Sequence, residues 1–388
     1  MVPWPIPIAA GSPFTLASLP YGIFSTSYRD KRVGVAIGDF ILDLSSLERS
    51  SILKAILQGH ECGHNGRFIF TSEDLGNFAK VPTVIRKRLR QQLINWLSDP
   101  TSPLFQDATL NEATFVPMRD ATMHLPFKIG GFSDFMCSDV HVDNCSRLAG
   151  AQTPANHYAM PIGYNGRASS VVVESAPVHR PYGLIRDKEK GKFVFKPSMN
   201  MDYEAELGIF ISHAVPVGKT ITADEAEQHI FGFVVLNDCG GSAGAPYLSH
   251  AKAESTWDIK FEVSVNRRKS GEQDTILTTY SNLRDLRWSP GQMVAHLASS
   301  GCGLNTGDLL GTGTISSPND TPTLRTLGCL FELTEAGKIP AGQREGSKLA
   351  FLEDGDEVVM TAMAAGATVN LGTLRGQLQA CRNIPTAP

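Results

Sequence analysis

The clearest alternation of apolar and polar residues lies in residues 201–211, MDYEAELGIFI. Side chains along a strand point alternately to its two faces, so this pattern predicts a strand with one apolar face and one acidic face. The apolar face holds Tyr203, Ala205, Leu207, Ile209 and Ile211, and the acidic face holds Asp202, Glu204 and Glu206. Like charges at this spacing repel each other. The two glutamates therefore need either free access to water or a neutralising partner.

Two segments in the first third of the chain also have a regular pattern. Apolar residues alternate in residues 33–37 and again in residues 40–44, and the Gly38-Asp39 pair between them favours a turn, so this segment predicts a β-hairpin. Residues 84–97 place apolar side chains four positions apart, which predicts an amphipathic helix. The basic residues of that helix are most simply its solvated face and not an anion site.

From Met118 onward the chain is predicted to be a succession of short strands and turns. Within it, Thr222 and Glu225 form a capping-box pattern that opens a short helix. A chain of 388 residues is long enough for a small domain followed by a large one. We therefore predict a mainly β protein with some α-helix, divided near residue 118 into domains of residues 1–118 and 119–388.

Composition and charge narrow the class of protein. A net charge of −4 and a pI near 6.2 argue against nucleic acid or a membrane surface as the main partner. The sequence has no run of about 18 apolar residues and no signal-peptide pattern, so we expect a soluble, cytoplasmic protein. The seven cysteines are scattered without a C-x-x-C pair, so neither a disulfide framework nor a zinc site is expected.

Further acidic residues follow a predicted strand or cluster in a short segment. Residues 230–236 form a continuous apolar run, which predicts a strand buried on both faces, and Asp238 follows this run. The segment from Asp134 to Asp143 contains three aspartates and His141 within ten residues. A carboxylate just beyond a buried strand is well placed to contribute to a site.

Taken together, these acids predict an all-oxygen site for a metal ion. Carboxylates without histidine or cysteine are hard ligands, which favours Mg²⁺ or Ca²⁺ over zinc. A divalent cation would also neutralise the paired glutamates. Each acid has a structural alternative as well: a turn or cap residue for Asp134, a strand-end cap for Asp238, and an exposed strand face for Glu204 and Glu206.

Nine motifs occur in order along nearly the whole chain: LPYGIFST, VGVAIGDFILDLSSL, ATMHLPFKIGGFSDF, PIGYNGRASSVVV, MDYEAELGIF, HIFGFVVLND, GDLLGTGTIS, CLFELT and FLEDGDEVVMTA. This set resembles the fumarylacetoacetase family. The resemblance implies a small N-terminal SH3-like barrel, a C-terminal mixed β-roll domain, a homodimer and a divalent-metal site. It also implies hydrolysis of a carbon–carbon bond in a β-dicarbonyl substrate, fumarylacetoacetate, in tyrosine catabolism.

Matched motif by motif, the resemblance implies roles for six residues. The metal ligands fall on Asp134, Glu204, Glu206 and Asp238, and the water-activating pair falls on His141 and Glu332. A histidine that titrates near neutrality can take a proton from water while a carboxylate fixes its tautomer. From the residues alone, His141 is also compatible with a structural histidine, and Glu332 with a solvated strand residue.

The positions expected to contact the substrate are only partly kept. Tyr164 and Thr314 match family positions that touch the substrate, and ring packing and turn capping are open as alternative roles. Met136 replaces a tyrosine of the family. Arg147 is the one obvious cation in the region where the family has a substrate-binding arginine.

The cationic substrate clamp of the family is largely missing. Its arginine aligns with Ser242 without gaps, and the segment that carries its lysine is deleted, so Lys252 or Lys260 could substitute only in a rebuilt loop. One hypothesis is a fumarylacetoacetase with a rebuilt clamp. The second is a diverged relative in secondary metabolism that uses a metal-held enolate for decarboxylation, isomerisation or another rearrangement. The third hypothesis is a non-catalytic homologue. Retention of the metal ligands and of the His141–Glu332 pair argues against it.

Overall fold

The computed structural model describes residues 1–57, 59–60, 68–186, 191–239, 256–269, 272–299, 303–342 and 349–382. In the first part of the chain the strands are β1 (Tyr21–Thr26), β2 (Arg29–Ile37), β3 (Phe40–Asp43), β4 (Phe115–Pro117) and β5 (Thr122–His124). The helices there are α1 (Leu44–Arg49), α2 (Lys54–Leu57), α3 (Gly76–Ala79), α4 (Thr83–Ser98), α5 (Pro103–Gln106) and α6 (Ala108–Thr114).

These five strands form one antiparallel sheet in the order β4-β3-β2-β1-β5. Strands β2 and β3 are joined through Gly38, whose φ of +53° suits a tight turn, so the predicted hairpin is confirmed. Helix α4 confirms the predicted amphipathic helix; its buried residues are Ile85, Leu89, Leu93 and Leu97. In the part of the chain that the structure describes, β4 and β5 are open edges and the sheet is not a closed barrel. The boundary near residue 118 stays a prediction.

The second part of the chain is richer in strands. They are β6 (Phe132–Met136), β7 (Ile162–Asn165), β8 (Val178–His179), β9 (Tyr182–Arg186), β10 (Phe193–Pro197), β11 (Ala205–Ile211), β12 (Ile230–Asn237), β13 (Ile259–Lys269), β14 (Glu272–Asn282), β15 (Leu309–Gly311), β16 (Glu357–Ala364) and β17 (Val369–Gln379). The helices are α7 (Asp139–Leu148), α8 (Ala223–Glu227), α9 (Pro290–Ser299) and α10 (Leu330–Leu333). Within the described ranges, no helix combines the length and the apolar character needed to cross a membrane.

Two five-stranded sheets organise this part. One has the order β12-β11-β15-β6-β7, with β15 and β6 parallel and the other pairs antiparallel. The other has the order β14-β13-β16-β17-β8, and β9 pairs with β10 in a separate two-stranded ribbon. The fold is therefore mostly sheet with some helix, as the sequence predicted. The capping box of α8 is also confirmed, with reciprocal hydrogen bonds between Thr222 and Glu225.

Two expectations about these elements were wrong, and two helices were not expected. The strand predicted over residues 201–211 begins only at Ala205. Before that residue, Met201 pairs with Leu352 and Glu204 with Cys329 through isolated bridges and not in a continuous ladder. Strand β12 is half-buried along its length and not buried on both faces, because it lies at the edge of its sheet in the described structure. Helices α7 and α9 were not predicted at all.

Strand β11 separates two hydrophobic regions. Leu207, Ile209 and Ile211 pack on one face against α9 and the sheet that contains β13. Phe210 lies on the other face and packs against the first part of the chain, with its ring centroid 4.8 Å from that of Phe127. The alternation predicted from the sequence is thus present in β11, and neither face of the strand is exposed to solvent.

Replacing Ile209 by alanine tests how much this packing stabilises the fold. Ile209 is fully buried, so Ile209→Ala is expected to lower the free energy of unfolding by about 2–5 kcal/mol through lost burial and a residual cavity. Urea denaturation followed by circular dichroism measures the change. Ile339→Ala is the matched control, since Ile339 is 52% exposed and should change stability by less than about 0.5 kcal/mol. Equal losses in both variants would contradict the assigned packing.

Candidate active site

Three of the four predicted metal ligands converge at one end of the central sheet. Asp134 lies in β6, Glu206 in β11, and Asp238 directly after β12. Each offers a carboxylate oxygen, and these oxygens lie within 4.8 Å of one another. The strand register explains the convergence, because β15 lies between β6 and β11 and places Gly311 opposite Asp134.

Gly311 makes room for this cluster. A Cβ atom at residue 311 would lie 2.5 Å from Glu206 Oε2 and 2.9 Å from Asp134 Oδ1, which is closer than non-bonded atoms allow. A side chain on β15 would therefore push the two carboxylates apart. Sequence analysis did not single out this residue, and its only local signal is a glycine inside a short strand, which often marks a close approach.

The cluster is buried and electrostatically strained. Asp134 is 3% exposed and Glu206 is fully buried. Burial, and then the charge of Asp238, raise the pKa of Asp134 to about 7. Burial and the neighbouring carboxylates raise the pKa of Glu206 well above its usual value. The exposed strand face considered for the glutamates is excluded for Glu206.

Two oxygens in the cluster have no partner among the described residues. Asp134 Oδ1 and Glu206 Oε1 are buried and form no hydrogen bond with that part of the chain. Buried polar atoms are normally satisfied, and unpaired ones indicate a missing partner such as an ion. Because the available donors are all carboxylate oxygens, the residues fit a hard divalent cation.

Glu204, Thr314 and Tyr164 border the cluster. Glu204 is half-buried and its Oε2 accepts a hydrogen bond from the Thr314 hydroxyl at 2.8 Å. The Tyr164 hydroxyl lies 3.4 Å from Asp238 Oδ2, and the Tyr164 side chain is half exposed. All three therefore lie beside the carboxylates, and the substrate-binding roles of Thr314 and Tyr164 stay predictions.

The second predicted pair also comes together. His141 is in the first turn of α7, where Ser138 caps the helix, and Glu332 is on α10. His141 Nδ1 lies 2.7 Å from Glu332 Oε2, and both residues are buried. Because the carboxylate accepts, Nδ1 carries the proton and Nε2 is left as the site that can take one. Glu332 is thus neither in a strand nor solvated, so that alternative was wrong.

Charge couples the two members of this pair. Burial alone would lower the pKa of His141, but the Glu332 carboxylate and two neighbouring thiols raise it well above its usual value. Burial alone would raise the pKa of Glu332, but His141 and further hydrogen-bond donors lower it. In the absence of other charges, the pair is therefore most stable as an imidazolium next to a carboxylate.

Several residues that sequence analysis did not assign hold Glu332 in place. Asn144 Nδ2 donates to Glu332 Oε1 at 2.9 Å, and Ser316 Oγ donates to Oε2 at 2.7 Å. Asp202 accepts from the backbone N–H groups of Leu330 and Phe331 at 2.8 and 2.6 Å, which caps α10. Asp202 therefore does not lie on the acidic face that the sequence predicted. It positions α10, the helix that carries Glu332.

Other predicted residues do not join the cluster. Arg147 is exposed and lies 3.8 Å from Glu335. Met136 ends β6 and is half-buried, and Lys260 is exposed on β13. Across the described ranges, no salt bridge joins a lysine or arginine to any of the four carboxylates. Ser242 and Lys252 lie outside the described residues.

Asp139 and Asp143 belong to a separate network on α7. Asp139 accepts from Arg287 at 2.6 Å and interacts with His157 Nε2 at 2.7 Å. Asp143 accepts from the Tyr158 hydroxyl at 3.0 Å. Of the three aspartates in this short segment, only Asp134 therefore lies in the carboxylate cluster.

A buried oxygen cluster beside a histidine–carboxylate pair is the kind of site that metal-dependent hydrolases and lyases use. A family model described as fumarylacetoacetase N-terminal matches residues 17–126, and one described as fumarylacetoacetate (FAA) hydrolase C-terminal matches residues 131–243 and 239–379. The chain therefore belongs to the fumarylacetoacetase family. It is an enzyme of that family, as its motifs implied.

Individual relatives match over nearly their whole length. The chain is 32% identical to a fumarylacetoacetase of Emericella nidulans in an alignment of 438 positions, gaps included, which covers 97% of this chain and 98% of the relative. It is 32% identical to the fumarylacetoacetase of Bos taurus, with 95% and 96% covered. Among solved structures, maleylpyruvate hydrolase from Sphingobium sp. SYK-6 in complex with manganese (II) ion and pyruvate is 14% identical, with a TM-score of 0.48 and coverage of 93% and 99%.

The glycine at residue 311 provides a direct test of the metal site. Gly311→Ala places a methyl group against Glu206 and Asp134, so we expect the affinity for Mg²⁺ or Ca²⁺ to fall by roughly 10- to 100-fold, as for other changes that displace metal ligands. Isothermal titration calorimetry measures the affinity. Gly232→Ala is the matched control, because an added Cβ in β12 would meet nothing within 4 Å. Unchanged binding in Gly311→Ala would refute the assignment.

Proposed function

We propose that this enzyme hydrolyses a carbon–carbon bond of a β-dicarbonyl substrate of the fumarylacetoacetate type, with Mg²⁺ or Ca²⁺ bound by Asp134, Glu204, Glu206 and Asp238. The observation that carries the proposal is the pair of buried, unpartnered oxygens, Asp134 Oδ1 and Glu206 Oε1, in a chain that also brings a histidine and a glutamate together. Relatives of about one-third identity over nearly full length, named fumarylacetoacetase, support the same reaction.

In this proposal the carboxylates hold the cation, and the His141–Glu332 pair activates water. When bound, the divalent cation supplies Lewis-acid polarisation of the carbonyl oxygens and a positive charge that favours the neutral form of His141. Thr314 orients Glu204 through its hydroxyl hydrogen bond. Gly311 leaves the space that the carboxylates occupy.

His141 is proposed to activate the water molecule. Glu332 holds the Nδ1 proton, so Nε2 of the neutral ring accepts a proton from water as the water oxygen bonds to one carbonyl carbon. The bond from that carbon to the central carbon then breaks, and its electron pair stays on the central carbon, next to the second carbonyl group. Protonation of that carbon, with the proton returned by His141, completes hydrolysis to an acid and a ketone.

One observation favours a second candidate, in which the substrate is less acidic than fumarylacetoacetate. In the described part of the chain, Arg147, the cation expected near the substrate, is exposed and lies 3.8 Å from Glu335. A substrate with a carboxylate at each end needs such cations, whereas a more apolar β-dicarbonyl does not. A decarboxylation, isomerisation or other rearrangement of such a substrate is the alternative reaction.

The choice of substrate is tested with purified protein and Mg²⁺. Removing one group that stabilises developing charge typically lowers the rate by about a hundred- to a thousandfold, so we expect kcat/KM on fumarylacetoacetate at least that far below the value for the bovine relative. Loss of the diketone absorbance and chromatography of the products measure the rate and the reaction. A neutral 1,3-diketone serves as the comparison substrate. A kcat/KM within about tenfold of that of the bovine relative would show that another arginine or lysine binds the substrate in place of the missing clamp.

The base is tested by substitution. His141→Ala is expected to lower turnover by about a hundred- to ten-thousandfold, the range for loss of a general base, with fold and metal content unchanged. Glu332→Gln is expected to have a smaller effect, since Glu332 orients the ring. His296→Ala, on α9, is the control and should keep full activity. Full activity of His141→Ala would remove this mechanism.

Family membership also supports proposals about the oligomeric state, the N-terminal domain and the location of the protein. We infer a homodimer and a cytoplasmic location from the resemblance and from the family membership, and an SH3-like N-terminal domain whose sheet is open at β4 and β5 in the described residues. The boundary between domains 1–118 and 119–388 belongs to the same set of proposals. Size-exclusion chromatography with light scattering measures the oligomeric state directly.

A further inference from the structure

Two thiols lie against the histidine–glutamate pair. Cys145 follows His141 by one helical turn on α7, and its Sγ lies 3.6 Å from His141 Nε2 and 3.8 Å from Nδ1. Cys329 directly precedes α10, and its Sγ lies 3.2 Å from Glu332 Oε2. Both thiols are free; Cys329 is buried and Cys145 is half-buried.

Donors converge on a single oxygen of Glu332. His141 Nδ1 lies 2.7 Å from Glu332 Oε2, Ser316 Oγ 2.7 Å and Cys329 Sγ 3.2 Å. Ligand atoms of His141, Cys329 and Glu332 all lie within 4.8 Å of one another. A tetrahedral zinc ion with bonds of about 2.0–2.3 Å keeps its ligand atoms roughly 3.3–3.8 Å apart. The His141–Glu332 and Cys329–Glu332 separations of 2.7 and 3.2 Å lie within about 1 Å of these values. Cys145 Sγ lies 3.8 Å from His141 Nδ1, at the upper end of the range.

We propose that His141, Cys145, Cys329 and Glu332 form a second site, which binds a thiophilic divalent cation such as Zn²⁺ and thereby inhibits the enzyme. Two sulfurs and an imidazole are softer donors than the all-oxygen cluster, so the two sites select different ions. Binding displaces the thiol protons of Cys145 and Cys329 to solvent. The half-buried Cys145 provides the side from which the ion enters.

The inhibitory effect follows from the two ring nitrogens of His141. When Nδ1 binds the ion, it loses its hydrogen bond to Glu332, and the single proton of the neutral ring moves to Nε2. Nε2 then has no lone pair to accept a proton from water. This step rests on the proposed role of His141 as a base, whereas the existence of the site does not.

Binding is tested with Co²⁺ as a spectroscopic substitute for Zn²⁺. The full-length protein is first saturated with Mg²⁺ to fill the oxygen site, and Co²⁺ is then added. We expect a thiolate-to-cobalt charge-transfer band in the near ultraviolet, which oxygen ligands do not produce. Cys145→Ser together with Cys329→Ser should abolish the band, and Cys381→Ser, at a half-buried thiol elsewhere, should keep it. No band in the wild type, or a band that persists in the double variant, would overturn the site.

Inhibition is tested separately with Zn²⁺ at saturating Mg²⁺. The double variant should need more than about tenfold more Zn²⁺ to halve its own zinc-free activity, since even partners one shell beyond a metal are worth about 10- to 100-fold in affinity. If the double variant does not fold, Cys145→Ser alone, at the half-buried position, replaces it. A cobalt band without zinc inhibition would overturn the inhibitory role and count against His141 as the base. A band in a protein inactive on every β-dicarbonyl would support the site while the proposed function failed.

Discussion

The structure depends on the burial of several carboxylates next to one another. Isolated charges are very unfavourable in a protein interior, and neighbouring like charges add repulsion to the loss of hydration. Asp134 and Glu206 nevertheless lie under the surface, each with one oxygen that no hydrogen bond satisfies. The central sheet accepts this arrangement because a glycine on β15 leaves space between them. A protein that keeps such a cluster needs a cation to make it stable when ionised.

The sheet and the helices have separate tasks around this cluster. Strands β6 and β11 carry Asp134 and Glu206, and Asp238 directly follows β12, so the sheet register sets the separation of the carboxylates. Helices α7 and α10 carry His141 and Glu332, and Asp202 links α10 to the chain just before β11. The same helices bring two thiols to the pair. The carboxylate cluster offers only oxygen donors, whereas the His141–Glu332 pair and its two thiols also offer nitrogen and sulfur donors. This difference in hardness lets the two proposed sites bind different metal ions.

Local patterns in the sequence predicted the features that depend on local physics. The hairpin through Gly38, helix α4 and the capping box at Thr222 all follow from residue spacing and turn or cap chemistry. The alternation in β11 also identified the acids as unusual. The first acid, Asp202, was misplaced because the strand begins only at Ala205 and the Asp202 side chain caps a distant helix.

The features that sequence analysis missed depend on contacts between distant parts of the chain. Cys329 and Cys145 were separated by 184 positions in a sequence without a C-x-x-C pair, so spacing argued against any site with sulfur ligands. Helix α7 buries only His141 and Val142, and Glu332 lies in a helix of four residues, which is too short for a periodic signal. Strand β12 has the composition of a central strand but lies at a sheet edge. The contacts of the two thiols and the edge position of β12 are set by tertiary structure and not by local sequence.

The buried carboxylates are proposed to be the ligands of one hard cation. Crystals grown with Mn²⁺, which accepts the same oxygen ligands and gives an anomalous signal, provide the test. We expect one strong anomalous peak per chain among Asp134, Glu206 and Asp238, with metal–oxygen distances of about 2.0–2.6 Å. The same carboxylates without a peak, paired with each other through shared protons, would contradict it.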